Sequence, residues 1–210
     1  MPRVNLLPGR APPRIAEPVG RAVARAGITP NMVSLFGFAG NVLCAWLITR
    51  EQLLAAGIIY LVFSALDFVD GAVARATNQA SPYGAVLDAV LDRASEAVVL
   101  GACASYFGGR GENVQAGVAY AALFGSVAVS YVRARAEVMG LALREGLFRR
   151  QERVVLLSLG LVFNTLTVVI WVLAVLSNLT ALQRFFLAWR GLRKEALTPD
   201  ASPAASGEGG

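Results

Sequence analysis

Long apolar runs separated by short polar segments dominate this sequence. A helix needs about 20 apolar residues to cross a bilayer, so each of the first four runs predicts one spanning helix. The fifth run is too long for one crossing, and Phe163-Asn164-Thr165 predicts a tight turn that divides it into a short and a longer helix. The fold class is therefore all-α, an integral membrane protein with six transmembrane helices. The five runs cover about residues 32–49, 53–77, 82–107, 114–136 and 154–190.

The segments outside the runs complete the predicted organisation. From Pro13 to Gly27, apolar residues and arginines fall on opposite faces of a helix, which predicts an N-terminal amphipathic helix in the membrane interface. An unstructured basic tail is the alternative. Thr29 and Pro30 then predict the N-cap and first position of the first spanning helix. The predicted domains are 1–30 (tail and interfacial helix), 31–192 (six-helix domain) and 193–210 (a disordered cytoplasmic tail).

The arginines and lysine indicate the orientation in the membrane. With the N-terminus in the cytoplasm, 16 of the 19 cations lie on the cytoplasmic side. Only Arg50 and Arg110 lie outside, and Arg93 lies within a span. Cytoplasmic loops carry such an excess of positive charge, so both termini are predicted to be cytoplasmic. The same bias explains the net charge of +5 without a nucleic-acid partner.

Composition excludes several classes of protein. Apolar residues make up 56% of the chain, charged residues 16%, and the mean hydropathy is +0.56. A soluble domain contains about 25% charged residues, so an ordinary soluble fold is excluded. The chain has no histidine, which excludes a Ser-His-Asp triad and a zinc-histidine site. Cys44 and Cys103 lie within apolar runs and are expected to be reduced packing residues.

Four aspartates interrupt the second and third spans, namely Asp67, Asp70, Asp88 and Asp92. An aspartate near the middle of a spanning helix costs at least about 2.5 kcal/mol on insertion. The two spans hold only two cations, Arg75 at the cytoplasmic end of the second span and Arg93 within the third, so salt bridges cannot neutralise all four carboxylates. Protonated carboxyls of a proton pathway are one alternative. Bound divalent cations account for all four.

The spacing of these aspartates supports a metal site. Asp67 and Asp70 are three residues apart and Asp88 and Asp92 four apart, so each pair lies on one helix face. At 1.5 Å per residue, the two pairs lie at matched depths of about 10–15 Å below the cytoplasmic surface. A site made only of oxygen ligands selects hard ions such as Mg²⁺ or Mn²⁺. This depth places the candidate site on the cytoplasmic side of the cell membrane.

Two glycines and an arginine lie next to the aspartates. Gly71 follows Asp70, Gly84 lies one turn before Asp88, and Arg75 shares nearly the face of Asp67. Close helix packing is one explanation for the glycines. Space for a ligand beside the metals is the other, and a cation at this level would suit a pyrophosphate carried by a lipid.

The order and spacing of these residues resemble a known signature. Residues 67–92 read D-x2-D-G-x2-A-R-x8-G-x3-D-x3-D, which is similar to the signature of the CDP-alcohol phosphatidyltransferases at every position. The resemblance extends from about residue 18 to 189. It implies an enzyme that binds CDP-diacylglycerol, transfers the phosphatidyl group to an alcohol and releases CMP. It also implies two metal ions held by the four aspartates, with Asp92 as general base, and a homodimer.

Segments nearer the C-terminus bear on the alcohol. Arg133 with Glu137, the pair Glu152-Arg153 and the pair Gln183-Arg184 resemble the phosphatidylinositol-phosphate synthase branch of the family, which normally has lysine in place of Arg133. Ordinary positive-inside arginines are the alternative. The branch implies inositol 1-phosphate as acceptor, with its phosphate bound by Arg133, Arg153 and Arg184. The donor would be CDP-diacylglycerol or CDP-archaeol. The resemblance places the CDP-lipid at Asn31, Met32, Val33, Ser34, Gly71, Ala74, Arg75, Ser81 and Gly84.

Other functions are weighed against this one. Within the family, glycerol 3-phosphate or another alcohol could replace inositol 1-phosphate as acceptor. A membrane cation transporter would also place carboxylates in spans, but it would not need Arg75 and Gly84 in register with them. A soluble-type prenyltransferase has aspartate-rich metal motifs, but its helices lack a positive-inside pattern.

Overall fold

The computed structural model describes residues 27, 29–65, 81–141 and 148–197. Within these ranges the chain forms six α-helices and no strand. Most of the predicted interfacial helix (residues 13–26) and the tail beyond residue 197 lie outside the described residues. The helices are α1 (Pro30–Thr49), α2 (Leu53–Ala65), α3 (Pro82–Gly109), α4 (Asn113–Val138), α5 (Arg150–Val162) and α6 (Leu166–Leu197).

The starts of α1 and α3 follow the same local chemistry. Thr29 caps α1 by accepting a hydrogen bond from the Met32 N–H at 3.3 Å, and Pro30 occupies the first turn. Ser81 caps α3 by accepting from the Gly84 N–H at 3.0 Å. A side-chain oxygen at the N-cap satisfies a backbone donor that has no partner within the helix. The predicted start of α1 is confirmed.

The turn predicted within the last apolar run is also present. α5 ends at Val162 and α6 begins at Leu166. Between them, Asn164 adopts a φ of 55°, in the left-handed region that asparagine tolerates better than most residues. α6 then continues to Leu197, past the predicted domain boundary at residue 192.

α1 and α3 run in the same direction. At one end, the start of α1 meets the start of α3, where Asn31 lies next to Gly84. At the other end, Arg110 after α3 contacts Glu51 after α1 at 3.2 Å. We call the end at which α1, α3 and α5 begin the polar end of the bundle.

The apolar core lies away from the polar end. Fully buried side chains from five helices form its centre, namely Ile48, Tyr60, Phe107, Leu157 and Ile170. Other large apolar side chains are more than half exposed, as expected for surfaces that contact lipid; they include Phe36, Trp46, Phe124 and Phe185. The core therefore leaves the polar end of the bundle available for charged side chains.

Three of the described helices are long and apolar enough to cross a membrane, namely α1, α4 and Leu166–Arg193 of α6. α2 is a shorter apolar helix of 13 residues over its described part. α5 also has 13 residues, which extend about 20 Å, less than the roughly 30 Å of a bilayer core. The protein is therefore all-helical with at least three candidate spans.

Candidate active site

Three acidic side chains follow one another along one face of α3. Asp88, Asp92 and Glu96 are spaced four residues apart, which places them on the same side of the helix. Asp88 and Asp92 are partly buried, whereas Glu96 is only 5% exposed. This face therefore carries carboxylates from the polar end of the bundle into its core.

Two arginines at the start of α5 pair with two of these carboxylates. The Arg150 guanidinium Nη1 lies 3.0 Å from Asp92 Oδ1. Arg153 donates from Nε to Glu96 Oε1 at 2.5 Å and from Nη2 to Glu96 Oε2 at 3.0 Å. Because both pairs use residues one turn apart on each helix, they form two successive cross-links between α3 and α5.

The pair between Glu96 and Arg153 is buried and well bonded. Arg153 is 4% exposed, and its Nη1 also donates to the Phe148 carbonyl at 3.3 Å. The Ser126 hydroxyl of α4 is a further hydrogen-bonding neighbour of the Glu96 carboxylate. A bidentate, charge-assisted pair of this kind is among the stronger polar contacts in proteins. Removing one partner typically costs about 3–5 kcal/mol, since the other charge then stays buried and unpaired.

Local capping determines where α5 begins. The Glu152 carboxylate accepts a hydrogen bond from the Arg149 N–H at 2.9 Å. An acidic side chain in the first turn also interacts favourably with the positive end of the helix dipole. This start places Arg150 in the first turn and Arg153 one turn further, so that both can reach α3.

A small cavity lies beside the buried pair. It measures about 10 Å³ and is lined by Tyr60, Glu96, Leu100, Ala122, Arg153, Leu157, Leu173 and Ser177. Among the described residues, the buried Ser177 hydroxyl has no hydrogen-bond partner. A cavity of this size with polar walls has room for about one water molecule. Five helices thus meet around a polar centre directly below the Asp92 level.

Arginines from α4, α5 and α6 converge at the polar end. Arg184 of α6 is 7% exposed and donates from Nη1 to the Val129 carbonyl of α4 at 3.0 Å. The charges of Arg133, Arg149 and Arg153 all act on Arg184. Arg133 is half exposed and pairs with Glu137 through Nε at 2.8 Å. Arg133, Arg149 and Arg153 therefore all lie within electrostatic range of Arg184, and we call these four residues the basic cluster.

The predicted CDP-lipid residues of α1 and α3 are partly brought together. A Cβ added at Gly84 would lie 3.1 Å from Asn31 Oδ1 and 3.2 Å from Ser81 Oγ, so these three residues enclose one small space. Met32 is 53% exposed on the outside of α1. The other two predicted residues of α1, Val33 and Ser34, are buried, and the Ser34 hydroxyl donates to the Pro30 carbonyl at 3.3 Å.

Five of the predicted site residues lie outside the described residues, namely Asp67, Asp70, Gly71, Ala74 and Arg75. Within the described part of the chain, no group of three or more potential ligands is suited to a metal. Asp88 and Asp92 supply carboxylate oxygens on one face, which is the ligand type that Mg²⁺ and Mn²⁺ prefer. Two of the four predicted metal ligands, Asp88 and Asp92, are therefore described, and their chemistry fits such an ion.

Sequence reasoning missed Glu96 and Arg150. The spacing contained a signal for both: Glu96 follows Asp92 by four residues inside an apolar helix, and Arg150 precedes Arg153 by three. Each is one turn from a residue that the motifs had already singled out. Only the folded bundle, in which both arginine side chains reach from α5 to α3, identifies their partners.

Comparisons with known proteins identify the family. The sequence profile of the CDP-alcohol phosphatidyltransferase family matches residues 27–190. The archaetidylinositol phosphate synthase of Pyrococcus horikoshii is 36% identical over 184 residues, which are 86% of this chain and 95% of that protein. The phosphatidylinositol phosphate synthase of Mycobacteroides abscessus is 35% identical, over 81% of this chain and 82% of its own length.

Solved structures resemble the fold as well. The phosphatidylinositol phosphate synthase of Mycobacterium tuberculosis with CDP-DAG bound superposes with a TM-score of 0.78 at 29% identity, covering 94% of this chain and 99% of that one. The same enzyme in complex with manganese and citrate gives a TM-score of 0.75 at 29% identity, covering 93% of this chain and 94% of the other. The chain therefore belongs to the CDP-alcohol phosphatidyltransferase family and is a transferase of phospholipid biosynthesis.

Proposed function

We propose that this protein transfers the phosphatidyl group of CDP-diacylglycerol, or its ether counterpart CDP-archaeol, to inositol 1-phosphate. The products are phosphatidylinositol phosphate, or its ether counterpart, and CMP. The observation that carries the choice of acceptor is the basic cluster, in which arginines of α4 and α5 lie within electrostatic range of Arg184 of α6. Its chemistry suits a phosphorylated polyol, since guanidinium groups bind phosphate through several N–H donors. The names of the relatives from Pyrococcus and Mycobacteroides support the same acceptor.

The proposed metal site uses the four aspartates of the signature. Asp67, Asp70, Asp88 and Asp92 would hold two Mg²⁺ or Mn²⁺ ions, and the carboxylates of Asp88 and Asp92 fit such ions. When bound, the ions neutralise charge on the pyrophosphate and make the lipid-linked phosphorus more electrophilic. The manganese in the Mycobacterium tuberculosis structure supports a divalent ion at this kind of site.

The remaining steps belong to side chains of this chain. Asp92 accepts the proton of the inositol hydroxyl, since the chain has no histidine to act as base. The hydroxyl oxygen then bonds to the lipid-linked phosphorus, and the bond from that phosphorus to the CMP oxygen breaks. The CDP-lipid would lie along the starts of α1 and α3 and the segment between α2 and α3. The residues proposed to contact it are Asn31, Met32, Val33, Ser34, Gly71, Ala74, Arg75, Ser81 and Gly84.

The acceptor phosphate would bind Arg133, Arg153 and Arg184. Arg153 uses three of its five N–H donors in the contacts with Glu96 and Phe148, so two donors remain for a phosphate oxygen. Arg184 is oriented by the hydrogen bond from its Nη1 to the Val129 carbonyl. Because these contacts already hold the two arginine side chains in place, less conformational entropy is lost when the acceptor binds.

The membrane arrangement is part of the same proposal. Six spans place both termini and the polar end of the bundle in the cytoplasm of a multi-pass cell-membrane protein. A lipid donor and a water-soluble acceptor can meet at that surface. We also propose that the protein is a homodimer and that the six-helix domain covers residues 31–192.

One assay tests the proposed reaction. Purified enzyme in detergent, with Mg²⁺ and either CDP-lipid, is offered inositol 1-phosphate, glycerol 3-phosphate or free inositol, and CMP release is measured. We expect turnover with inositol 1-phosphate and little with the others. Asp92→Asn serves as the inactive control, since it removes the base and a metal ligand. Preference for glycerol 3-phosphate would refute the acceptor but keep the family chemistry, and equal use of free inositol would show that the arginines do not bind a phosphate.

A further inference from the structure

Arg150 forms an ion pair with Asp92, the residue that we propose as a metal ligand and as the general base. Its Nη1 lies 3.0 Å from Asp92 Oδ1, and the two side chains are 25% and 22% exposed. Asp92 is the proposed ligand of a divalent ion and the proposed general base. The contact therefore occupies an oxygen at the centre of the reaction, at a depth where water screens it only in part.

A divalent ion and this guanidinium oppose each other at Asp92. An ion bound to the carboxylate would lie within a few ångströms of the arginine, and the two positive charges would repel each other at this partly buried position. In addition, Asp92 Oδ1 cannot coordinate the ion freely while it contacts Arg150. Binding of the ion should therefore weaken the contact between Arg150 and Asp92.

The surroundings of Arg150 indicate where its charge then acts. It precedes Arg153 by three residues, on the same face of α5. It is adjacent to Arg149, a member of the basic cluster. A guanidinium displaced from Asp92 would thus lie beside the arginines that we propose to bind the acceptor phosphate. Its charge, no longer held at Asp92, would raise the attraction of that region for an anion.

We infer that Arg150 is a positioning residue that couples the metal site to the acceptor site. Without a divalent ion it holds the Asp92 carboxylate, and with the ion bound it adds its charge to the binding of the acceptor phosphate. Coupling between two binding equilibria is reciprocal. The acceptor must therefore increase the affinity for the ion by the same factor as the ion increases the affinity for the acceptor. The acceptor half of this inference rests on the proposed function.

Manganese binding without turnover tests the first half. The dissociation constant of Mn²⁺ is measured by electron paramagnetic resonance on detergent-purified wild type, Arg150→Gln and Arg150→Lys. Since Arg150→Gln removes the competing charge, we expect Mn²⁺ to bind about three- to fivefold more tightly, the upper part of the range for loss of a partly screened ion pair. Arg150→Lys keeps the charge and should stay within about twofold of wild type. Arg190→Gln, an exposed arginine of α6, is the matched control and should bind like wild type. Unchanged or weaker Mn²⁺ binding by Arg150→Gln would overturn the inference.

The same measurement with inositol 1-phosphate present tests the coupling. In wild type, saturating inositol 1-phosphate should lower the Mn²⁺ dissociation constant several-fold, and in Arg150→Gln this effect should shrink to less than twofold. If Arg150→Gln does not fold, the wild-type experiment alone decides, because absence of any effect there overturns the coupling. The acceptor panel of CMP release tests the proposed function separately. An enzyme that uses inositol 1-phosphate but shows no coupling would refute only the role of Arg150.

Discussion

Arg153 shows, at the scale of a single residue, how a partner changes what an arginine can do. The resemblance of the Glu152-Arg153 pair to the phosphatidylinositol-phosphate synthase branch places it among the predicted acceptor contacts. In the structure it is 4% exposed and bonded to both carboxylate oxygens of Glu96. Replacing it would therefore leave Glu96 buried without its partner, at a cost of about 3–5 kcal/mol. For a variant of Arg153, a loss of acceptor binding therefore cannot be separated from a loss of stability.

Arg184 provides the cleaner test of the acceptor contacts. Arg184 donates to the Val129 backbone carbonyl, whereas Arg153 forms a buried bidentate pair with the Glu96 carboxylate. A charge-assisted bond to phosphate contributes roughly 1.5–3 kcal/mol, and we expect the KM for inositol 1-phosphate to rise about 10- to 100-fold. The KM for the CDP-lipid should change little.

Two controls accompany this steady-state measurement. Arg190→Ala alters an exposed arginine further along α6 and should leave both KM values unchanged. Arg133→Lys should be nearly neutral, since it keeps the charge beside Glu137. An equal rise in both KM values for Arg184→Ala would indicate a general structural effect and would contradict a specific role in acceptor binding.

At the scale of whole helices, α4 and α6 pack closely through a polar seam. A Cβ added at Gly125 of α4 would lie 2.8 Å from Asn178 Nδ2 and 2.9 Å from the Asn178 backbone N of α6. The Asn178 amide also donates to the Ala121 carbonyl of α4 at 2.9 Å. Small residues that allow close approach, with amides that bond across it, are typical of helix pairs in membranes. This seam holds Val129 and Arg184 at their observed separation.

Gly125→Ala should therefore destabilise the protein by about 1–3 kcal/mol, since the added methyl group meets backbone that cannot move away. The measurement is the midpoint of thermal unfolding in detergent. Gly117 is the matched control, because it lies on the same helix with nothing within 4 Å of an added Cβ. Gly117→Ala should be neutral or slightly stabilising, since alanine favours a helix by up to about 1 kcal/mol over glycine. Equal midpoints for the two variants would contradict the close packing of α4 on α6.

At the scale of the whole molecule, charge and hydrophobicity are arranged along one axis. Large apolar side chains cover the flanks of the bundle, while the arginines of α4, α5 and α6 collect at its polar end. Arg110 joins the opposite end through Glu51 and Glu112, at 3.2 and 3.3 Å. From such an excess of positive charge at one end we predict that this end faces the cytoplasm.

Accessibility of single cysteines checks this orientation. In intact cells or spheroplasts, an impermeant maleimide should label Asn113→Cys, at the start of α4, and should not label Met139→Cys, just after its end. Both positions are exposed. The unmodified protein is the background control, since Cys44 and Cys103 are both 0% exposed and should not react. Labelling of Met139→Cys instead of Asn113→Cys would reverse the predicted topology.

Several features of this protein follow from local sequence alone. The all-helical class, the starts of α1 and α3 and the turn at Asn164 depend on apolar run length, capping residues and a left-handed position. The family is likewise evident from residues at fixed spacing in residues 67–92, because helical periodicity places such residues on common faces. These features need no knowledge of which helix packs against which.

Other features depend on which side chains meet across helices. The partners of Arg150 and Arg153 lie about 57 residues earlier in the chain, and no local spacing relates α5 to α3. From the sequence, Glu96 is simply an acidic residue within an apolar helix. The structure shows that the Arg153 guanidinium of α5 is its partner. A charge can remain in a bilayer only with a partner or a ligand, and the partner is supplied by packing. Sequence therefore determined the chemistry that the aspartates and arginines offer, while tertiary structure decided which of them neutralise one another.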